Sequence, residues 1–488
     1  MKKIFHVLYA VIFFAICLIP LIAFPFVQKG SDIEKTGSVS SPKLFTSAGI
    51  NTNFSNDCES WVNSNFPFRT SLISASDYIK TELLGTPASN VIAGKEGYIY
   101  STTTADNYID NNALSDTEIS SIVVTLSLIQ ENVTAKGGKF LFIPMPNKNE
   151  IYPEYMPDSY KKAASNDLSR LTAKLSSSDV NYLDMKSVLL ETKANNTINI
   201  FYKRDTHWNA IGAYAGFCAI VSKMGIVAKD YGSSYTVTKN YRGDLDKLLY
   251  PEGGIYDEQV NFDYSIDEFT FTDPAGVTDT AAQLANFMSD KEENDTRFTT
   301  VKTNPTNNSK LYMVRDSFGR ALLPYMIDTY STATFIRSKN PSIEAVKADT
   351  DMIYEIVERN LSDLISTAPY MKAPKREITV EYQYAESNRR NTCFISDEGY
   401  AVRIYGTIDK NMLDSDGRIY VQLSNGSETY TVEAFPIYES ELLKDKDVIS
   451  DVGYSLFLDS SELAAGEYSV SAVSGKTSTG KMASYTKQ

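Results

Sequence analysis

The sequence predicts an α/β domain with a mostly parallel sheet flanked by helices, a C-terminal β-sandwich and an N-terminal membrane helix. Three observations carry that expectation. Residues 56 to about 370 alternate short continuous apolar runs with amphipathic segments. From about 376 the pattern changes to short, alternating, turn-bounded runs. The chain opens on Met-Lys-Lys followed by a long apolar stretch without acidic or basic residues.

In chain order, "IFHVLYAVIFFAICLIPLIAFPFV" (4–27) comes first. A spanning helix needs roughly 20 apolar residues, whereas a secretory core has about 7–15 and ends in a small-x-small site. No Ala-x-Ala follows here, so an uncleaved anchor over 1–29 is preferred to a cleaved signal. Lys2 and Lys3 would hold the N-terminus inside and leave the rest of the chain outside the cytoplasmic membrane. Residues 30–55, rich in Ser, Thr and Gly, read as a tether.

The α/β domain is expected over 56–372. "KFLFIPM" (139–145), "VNYLDM" (180–185) and "KLYMV" (310–314) read as buried strands. Three segments between them read as helices. Residues 116–138 open on an Asp/Thr cap and end in Gly-Gly. Residues 165–178 have Leu168, Leu171 and Leu175 on one face. The small-residue segment 209–225 closes on a glycine. Residues 225–305 are polar and irregular, as in an insertion or long loops. Over 376–488, "YAVRIYGTI", "RIYVQLS" and "ETYTVEAFPIY", with turns at "DSDGR" and "SNGS", read as the sandwich, a candidate carbohydrate-binding domain. Its alternative role is to pack on the α/β domain.

Composition narrows the function. With 61 Asp+Glu against 47 Lys+Arg, the net charge is −14, which argues against nucleic acid or an anionic membrane surface as partner. Outside the anchor stand Cys58, Cys218 and Cys393, an odd number without metal or redox spacing. Cys218 reads as a small core residue, and one Cys58–Cys393 disulfide stays open. Only two histidines exist, and His6 lies in the apolar run, so no ligand set for a metal is present and no cofactor is expected.

His207, in "RDTHWNAIGAYAGF" (204–217), is therefore the one imidazole available to the folded chain. A serine nucleophile needs a base titrating near neutrality, and that base needs an acceptor on its other nitrogen. Asp205, two residues earlier, can bend back to serve. The serine is Ser317 in "KLYMVRDSFGRALLPYM" (310–326), where an apolar strand runs into Asp-Ser-Phe-Gly and then a helix. That places Ser317 at the C-terminal sheet edge and at a helix N-terminus, whose free N–H groups could hold an oxyanion. Gly319 would let a substrate approach the backbone. The competing reading is an N-cap serine and a structural histidine.

These stretches, with "WVNSNFPFR" (61–69), "VIAGKEGYIY" (91–100), "PNKNEIYPEYMP" (146–157) and "EIVERNL" (355–361), resemble the alginate O-acetyltransferase-like branch of the SGNH hydrolase superfamily, which includes the bacterial DHHW proteins. The likeness covers about residues 56–370. It implies an SGNH-like fold with Ser317 as nucleophile, His207 as base and Asp205 as its orienter. The family's glycine before Asp-Ser is Arg315 here, and its Gly and Asn oxyanion donors are not identifiable. Asn147 and Lys148 are the candidates for substrate or oxyanion contacts, with Trp208, Arg315, Gly319 and Arg359 as further substrate-binding candidates. Arg359 could instead pair with Glu355 along a helix, Trp208 could be a packing anchor, and Asn147 could only turn its loop. The 32 tyrosines suit sugar rings, although many must serve the core.

The function expected is an extracytoplasmic O-acetyltransferase acting on a cell-surface or secreted polysaccharide. The resemblance implies a multi-pass membrane O-acyltransferase partner as acyl source. A deacetylase or esterase with the same three residues, and a non-catalytic glycan-binding or scaffold subunit, are the alternatives.

Overall fold

The computed structural model describes residues 2–24, 41–46, 49–227, 229–251, 253–290, 295–306, 308–378, 382–384, 390–438 and 451–487. The chain divides into two compact units. The smaller takes Met1–Thr102, Lys203–Thr206 and Lys239–Asp257; the larger takes Thr103–Tyr202, His207–Thr238 and Glu258–Gln488.

The smaller unit opens on helix α1 (Lys2–Ala23). Among the described residues no helix is long and apolar enough to cross a membrane. The run expected to span is helical only to Ala23, and Pro20, which has no N–H to donate, lies inside that helix. The membrane-helix part of the expected fold is therefore not seen. Residues 30–40 of the expected tether lie outside the described residues. Beyond them Phe45–Thr46 pairs with Gly49–Ile50, and a helix already begins at Phe54. "VIAGKEGYIY" forms a hairpin in which Val91 faces Ser101, turned through Glu96 at φ 53° and Gly97 at φ 79°. Ala88, Val91 and Ile99 pack with Leu245 and Leu249 as this unit's small core.

The larger unit is built on a seven-stranded sheet of β1 (Phe140–Met145), β2 (Phe269–Thr272), β3 (Thr278–Thr280), β4 (Arg297–Lys302), β5 (Lys310–Val314), β6 (Thr332–Ile336) and β7 (Asp351–Val357). Their order is β1-β7-β5-β6-β4-β2-β3. β1, β7, β5 and β6 run parallel, whereas the remaining pairings are antiparallel. The sheet is thus mixed, which corrects the mostly parallel expectation. Its antiparallel half comes from the segment read as irregular. "FTFT" and "RFTTVK" alternate Phe or Val with Thr, a half-buried pattern too short and too polar to stand out. "VNYLDM" contributes only a single bridge, Tyr182 to Phe142, because the Asn181 amide side chain bonds the Phe140 carbonyl.

Every residue of β1 is buried, as expected of a strand covered on both faces. Helix α2 (Asp116–Ala135) covers one of them, with Ile122 and Val133 in the core that holds Phe140, Phe142, Met352 and Tyr354. Its cap is Ser115, in a reciprocal box with Glu118, one residue ahead of the expected Asp/Thr. α3 (Asp167–Ser176) is capped by Asn166 and buries Leu168, Leu171 and Leu175. α4 (Met185–Asn195) starts from Asp184. α5 (Ala210–Met224) starts from Asn209, whose side chain accepts the Ile211 and Gly212 N–H groups. It ends at Gly225, φ 71°, a left-handed cap that favours glycine. Cys218 faces outward on α5 rather than into the core, and all four cysteines are free thiols.

The C-terminal region carries nine strands: β8 (Gln383–Tyr384), β9 (Thr392–Asp397), β10 (Val402–Asp409), β11 (Ile419–Ser424), β12 (Thr429–Ile437), β13 (Asp451–Leu458), β14 (Gly466–Ser474), β15 (Thr477–Ser478) and β16 (Ala483–Lys487). They form one path, β8-β15-β14-β11-β12-β13-β10-β9, with β16 on β14. Residues 379–381 of the expected first strand lie outside the described residues. β12 pairs β11 through Ala434 and then β13 from Phe435, so it passes from one half of the path to the other. Side chains of both halves, including Ile404, Val421, Val432, Leu456 and Val470, share one core. This region packs on the α/β part of the same unit. Phe435, Ile437 and Phe457 join the core under α2, and Arg376 bridges Glu131 of α2 to the buried Glu433.

Candidate active site

Strand β5 is buried from Leu311 to Val314 and delivers Arg315, Asp316 and Ser317 past its own C-terminal end, beside the last residues of β7, which runs on to Val357. Ser317 caps a five-residue 3-10 helix, Phe318–Leu322. His207 Nε2 lies 2.9 Å from Ser317 Oγ, and the His207 ring packs on Phe318 with centroids 4.9 Å apart. The adjoining Trp208 is fully buried and donates from Nε1 to the Phe318 carbonyl at 3.1 Å. Both neighbours thus fix the serine turn against the histidine. A ring nitrogen at this distance from an alcohol can take its proton as a nucleophile forms.

The turn is gripped by two carboxyl groups. Glu355 Oε2 accepts the N–H groups of Asp316 (3.0 Å) and Gly319 (3.1 Å). Asp316 accepts the Phe318 N–H through Oδ1 and the Val357 N–H through Oδ2, both at 2.8 Å. The N–H groups expected to stand free at the helix N-terminus are therefore occupied, apart from that of Ser317, which among the described residues has no acceptor. Gly319 is required for a different reason from the one expected. A Cβ there would lie 2.6 Å from Arg315 Cβ and 2.8 Å from Glu355 Oε2, so the close approach is by protein. Burial, then the Asp316 charge, holds the Glu355 carboxyl well above the usual carboxylate range.

A cavity of about 430 Å³ opens beside Ser317, lined also by Arg337, Lys339, Arg359 and Asn360. Arg359 stands over the Phe318 ring at 5.6 Å and donates to Asn147 Oδ1 at 3.3 Å. This joins two of the sequence candidates at the site. Asn147 is fully buried and gives its N–H to Glu358 at 3.1 Å. Lys148 is buried, with its ammonium on the Tyr202 carbonyl at 3.2 Å. Arg315 also lines the cavity, but its side chain is buried and its guanidinium bonds Asp295 at 2.5 Å. Asp205 belongs to the smaller unit, where its buried carboxylate accepts from Tyr241 Oη (2.9 Å) and the Asp244 N–H (2.8 Å).

Residues 91–254 match the ALGX family, described as an SGNH hydrolase-like domain of the acetyltransferase AlgX. The match takes in Asp205 and His207 and ends before Ser317. Over this segment, about a third of its length, the chain is similar to that family. A probable alginate O-acetylase AlgJ of Pseudomonas syringae pv. tomato is 22% identical over 210 residues, 41% of this chain and 51% of that protein. The chain thus spans about half the length of this curated relative. Similar solved structures include a DHHW family protein of Eubacterium siraeum, with 15% identity, a TM-score of 0.42 and coverage of 57% of this chain and 93% of that one. PatB1 of Bacillus cereus gives 16%, 0.43, 56% and 96%.

At this site sequence reasoning missed a group of buried acids. Glu355 was read as the partner of Arg359 on one helix. In fact Glu355 lies within β7, Arg359 lies in the 3-10 helix Glu358–Ile365, and the two do not share an element. Glu358 is buried between the Asn147 N–H and Asn166 Nδ2 (2.7 Å). Burial first, then the nearby Glu150, pushes its carboxyl up to about 8. The available signal was an acid inside the otherwise apolar "DMIYEIV", since burying a charge is expensive unless it is paired or neutralised.

Proposed function

We propose that the chain is an extracytoplasmic O-acetyltransferase acting on a cell-surface or secreted polysaccharide. His207 takes the proton of Ser317 Oγ as that oxygen attacks the carbonyl of an acetyl donor, and the donor's leaving group departs with a proton returned by the imidazolium. A sugar hydroxyl then attacks the acetyl-serine, gives its proton to His207 and leaves as the acetyl ester. Asp205, two residues from His207 in the chain, is its proposed orienter. Arg359 and Asn147, beside the Ser317 cavity, are proposed to contact the acceptor. Acetyl groups must reach the outside of the cell, so a multi-pass membrane acyltransferase is the proposed donor. The retained N-terminal anchor over residues 1–29 would hold the domain beside it, with the bulk of the chain extracytoplasmic.

The observation that carries this reading is the 2.9 Å approach of His207 Nε2 to Ser317 Oγ, by the only histidine outside the N-terminal run. Against the N-cap reading of the serine stand its side chain's place on the imidazole and the lack of a cap bond from it. Hydrolysis of nitrophenyl acetate should disappear in Ser317→Ala. Undiminished turnover in that variant would remove Ser317 as nucleophile. With an acyl donor and a glycan both supplied, acetylated glycan supports transfer, whereas free acetate alone would make the protein an esterase.

A further inference from the structure

We propose that Glu355 is a positioning residue for Ser317, holding the nucleophile turn by accepting the N–H groups of Asp316 and Gly319 at a single carboxyl oxygen. The inference rests on Ser317 being the nucleophile. Its geometric basis is independent of that assignment. The two N–H groups flank Ser317 in the chain, at 3.0 and 3.1 Å from Oε2, so one oxygen closes the turn 316–319 like a clasp. The clasp is anchored on β7, a central parallel strand whose Tyr354 faces Val314, the last residue of β5. Asp316 ties the same turn to β7 a second time through the Val357 N–H. The absence of a side chain at 319 is what lets Oε2 come this close.

The other oxygen, Oε1, is buried and makes no hydrogen bond. An ionised carboxylate left so would be costly, and the Asp316 carboxylate next to it makes a second negative charge costlier still. Arg315 pairs with Asp295 and donates to the Asp316 carbonyl at 3.0 Å; its charge favours ionised Glu355, but less than burial and Asp316 oppose it. Glu355 is therefore the proton-bearing member of the Asp316–Glu355 pair. A neutral acid is also what a nucleophile turn requires. It can accept two N–H bonds at its carbonyl oxygen without setting a fixed negative charge against the one that develops on the substrate oxygen as Ser317 attacks.

The test compares Glu355→Gln with Glu355→Ala. Glutamine reproduces a neutral acid in shape: its carbonyl oxygen can take both N–H groups, with NH₂ where the O–H was. Alanine removes the clasp. Two rates are read, nitrophenyl acetate turnover and covalent labelling of Ser317 by a sulfonyl fluoride, with Ser317→Ala as control. Glu355→Ala should lower kcat and the labelling rate together by about 10- to 100-fold, the scale of a misplaced reacting group, with KM within about threefold. Glu355→Gln should restore both to within about threefold of the native protein. Should the alanine variant fail to fold, Glu355→Asp, which draws the carboxyl back by one methylene, is read in its place with the same expectation. Native labelling in the alanine or aspartate variant would overturn the positioning role. A glutamine variant as slow as alanine would overturn the neutral acid. Turnover and labelling that survive Ser317→Ala would instead overturn the nucleophile itself.

Discussion

Replacing Trp208 with phenylalanine removes one hydrogen bond and one ring from directly behind the nucleophile turn. The indole N–H donates to the Phe318 carbonyl at 3.1 Å in a fully buried setting, and an acceptor left unpaired there costs about 1–3 kcal/mol. The lost apolar atoms add about 1–2 kcal/mol, from roughly 0.8 kcal/mol per buried carbon. A loss of about 2–5 kcal/mol in stability follows. Gly216 of α5 tests the packing half of that sum. A Cβ on it would lie 2.7 Å from Cζ3 and 2.8 Å from Cη2 of the indole, so Gly216→Ala alone should lose about 1–3 kcal/mol to overpacking, offset by up to about 1 kcal/mol of helix propensity. Phenylalanine vacates those two atoms. The double variant should therefore be more stable than the sum of the singles by about 1–2 kcal/mol. Urea unfolding followed by far-ultraviolet circular dichroism measures all four corners of the cycle. Additivity within about 0.5 kcal/mol would refute the packing geometry. KM for an acyl donor that stays unchanged in Trp208→Phe would favour the anchor over a pocket wall.

Two further outcomes follow from buried charges. Glu358, whose carboxyl is raised from 4.5 to about 8, binds its proton more tightly folded than unfolded. Its contribution to stability is whole below about pH 4.5 and is lost as pH rises through about 8. The melting temperature should fall across that window, and Glu358→Gln should flatten the fall; an equal fall in both proteins would sink the assignment. Arg315→Met, which breaks the buried pair with Asp295, should lower stability by about 3–5 kcal/mol. It should leave KM for the acceptor within about twofold, because the guanidinium faces Asp295; a large rise in KM would restore Arg315 as a substrate contact.

The parts of this molecule that could be read in its sequence are those written in strong local patterns. β1 is apolar through its length and β5 from Leu311 onward, α5 is capped by Asn209 and closes at Gly225, and the Asp-Ser-Phe-Gly turn lies where a strand hands over to a helix. The pairing of His207 with Ser317 followed from scarcity, since one imidazole leaves one choice of base. Other features depend on distant partners that no local window contains. β2, β3 and β4 are short and Thr-rich, and become strands because β6 offers them an antiparallel edge. Cys218 lies on an outward face of α5, which residue type alone could not fix. Gly319 was legible as a place of close approach, whereas the atom that approaches belongs to Glu355, on another strand.

The positions of the buried acids suggest how the serine turn tolerates arginine in place of glycine. A glycine before Asp-Ser would leave the backbone free to bend, with no side chain to accommodate. Arg315 gives up that freedom and must send its side chain somewhere. It goes to Asp295, which also meets Arg337 at 3.0 Å, so the added cation is neutralised away from Ser317. Lost backbone latitude is then matched by added restraint: Glu355 and Asp316 between them fix three N–H groups of the turn and bind it to β7. Rigid support of this kind suits a reacting group whose rate depends on fractions of an ångström. Its cost is a buried carboxyl, Glu355, beside the half-buried Asp316; burial and the Asp316 charge hold the Glu355 carboxyl well above the usual carboxylate range.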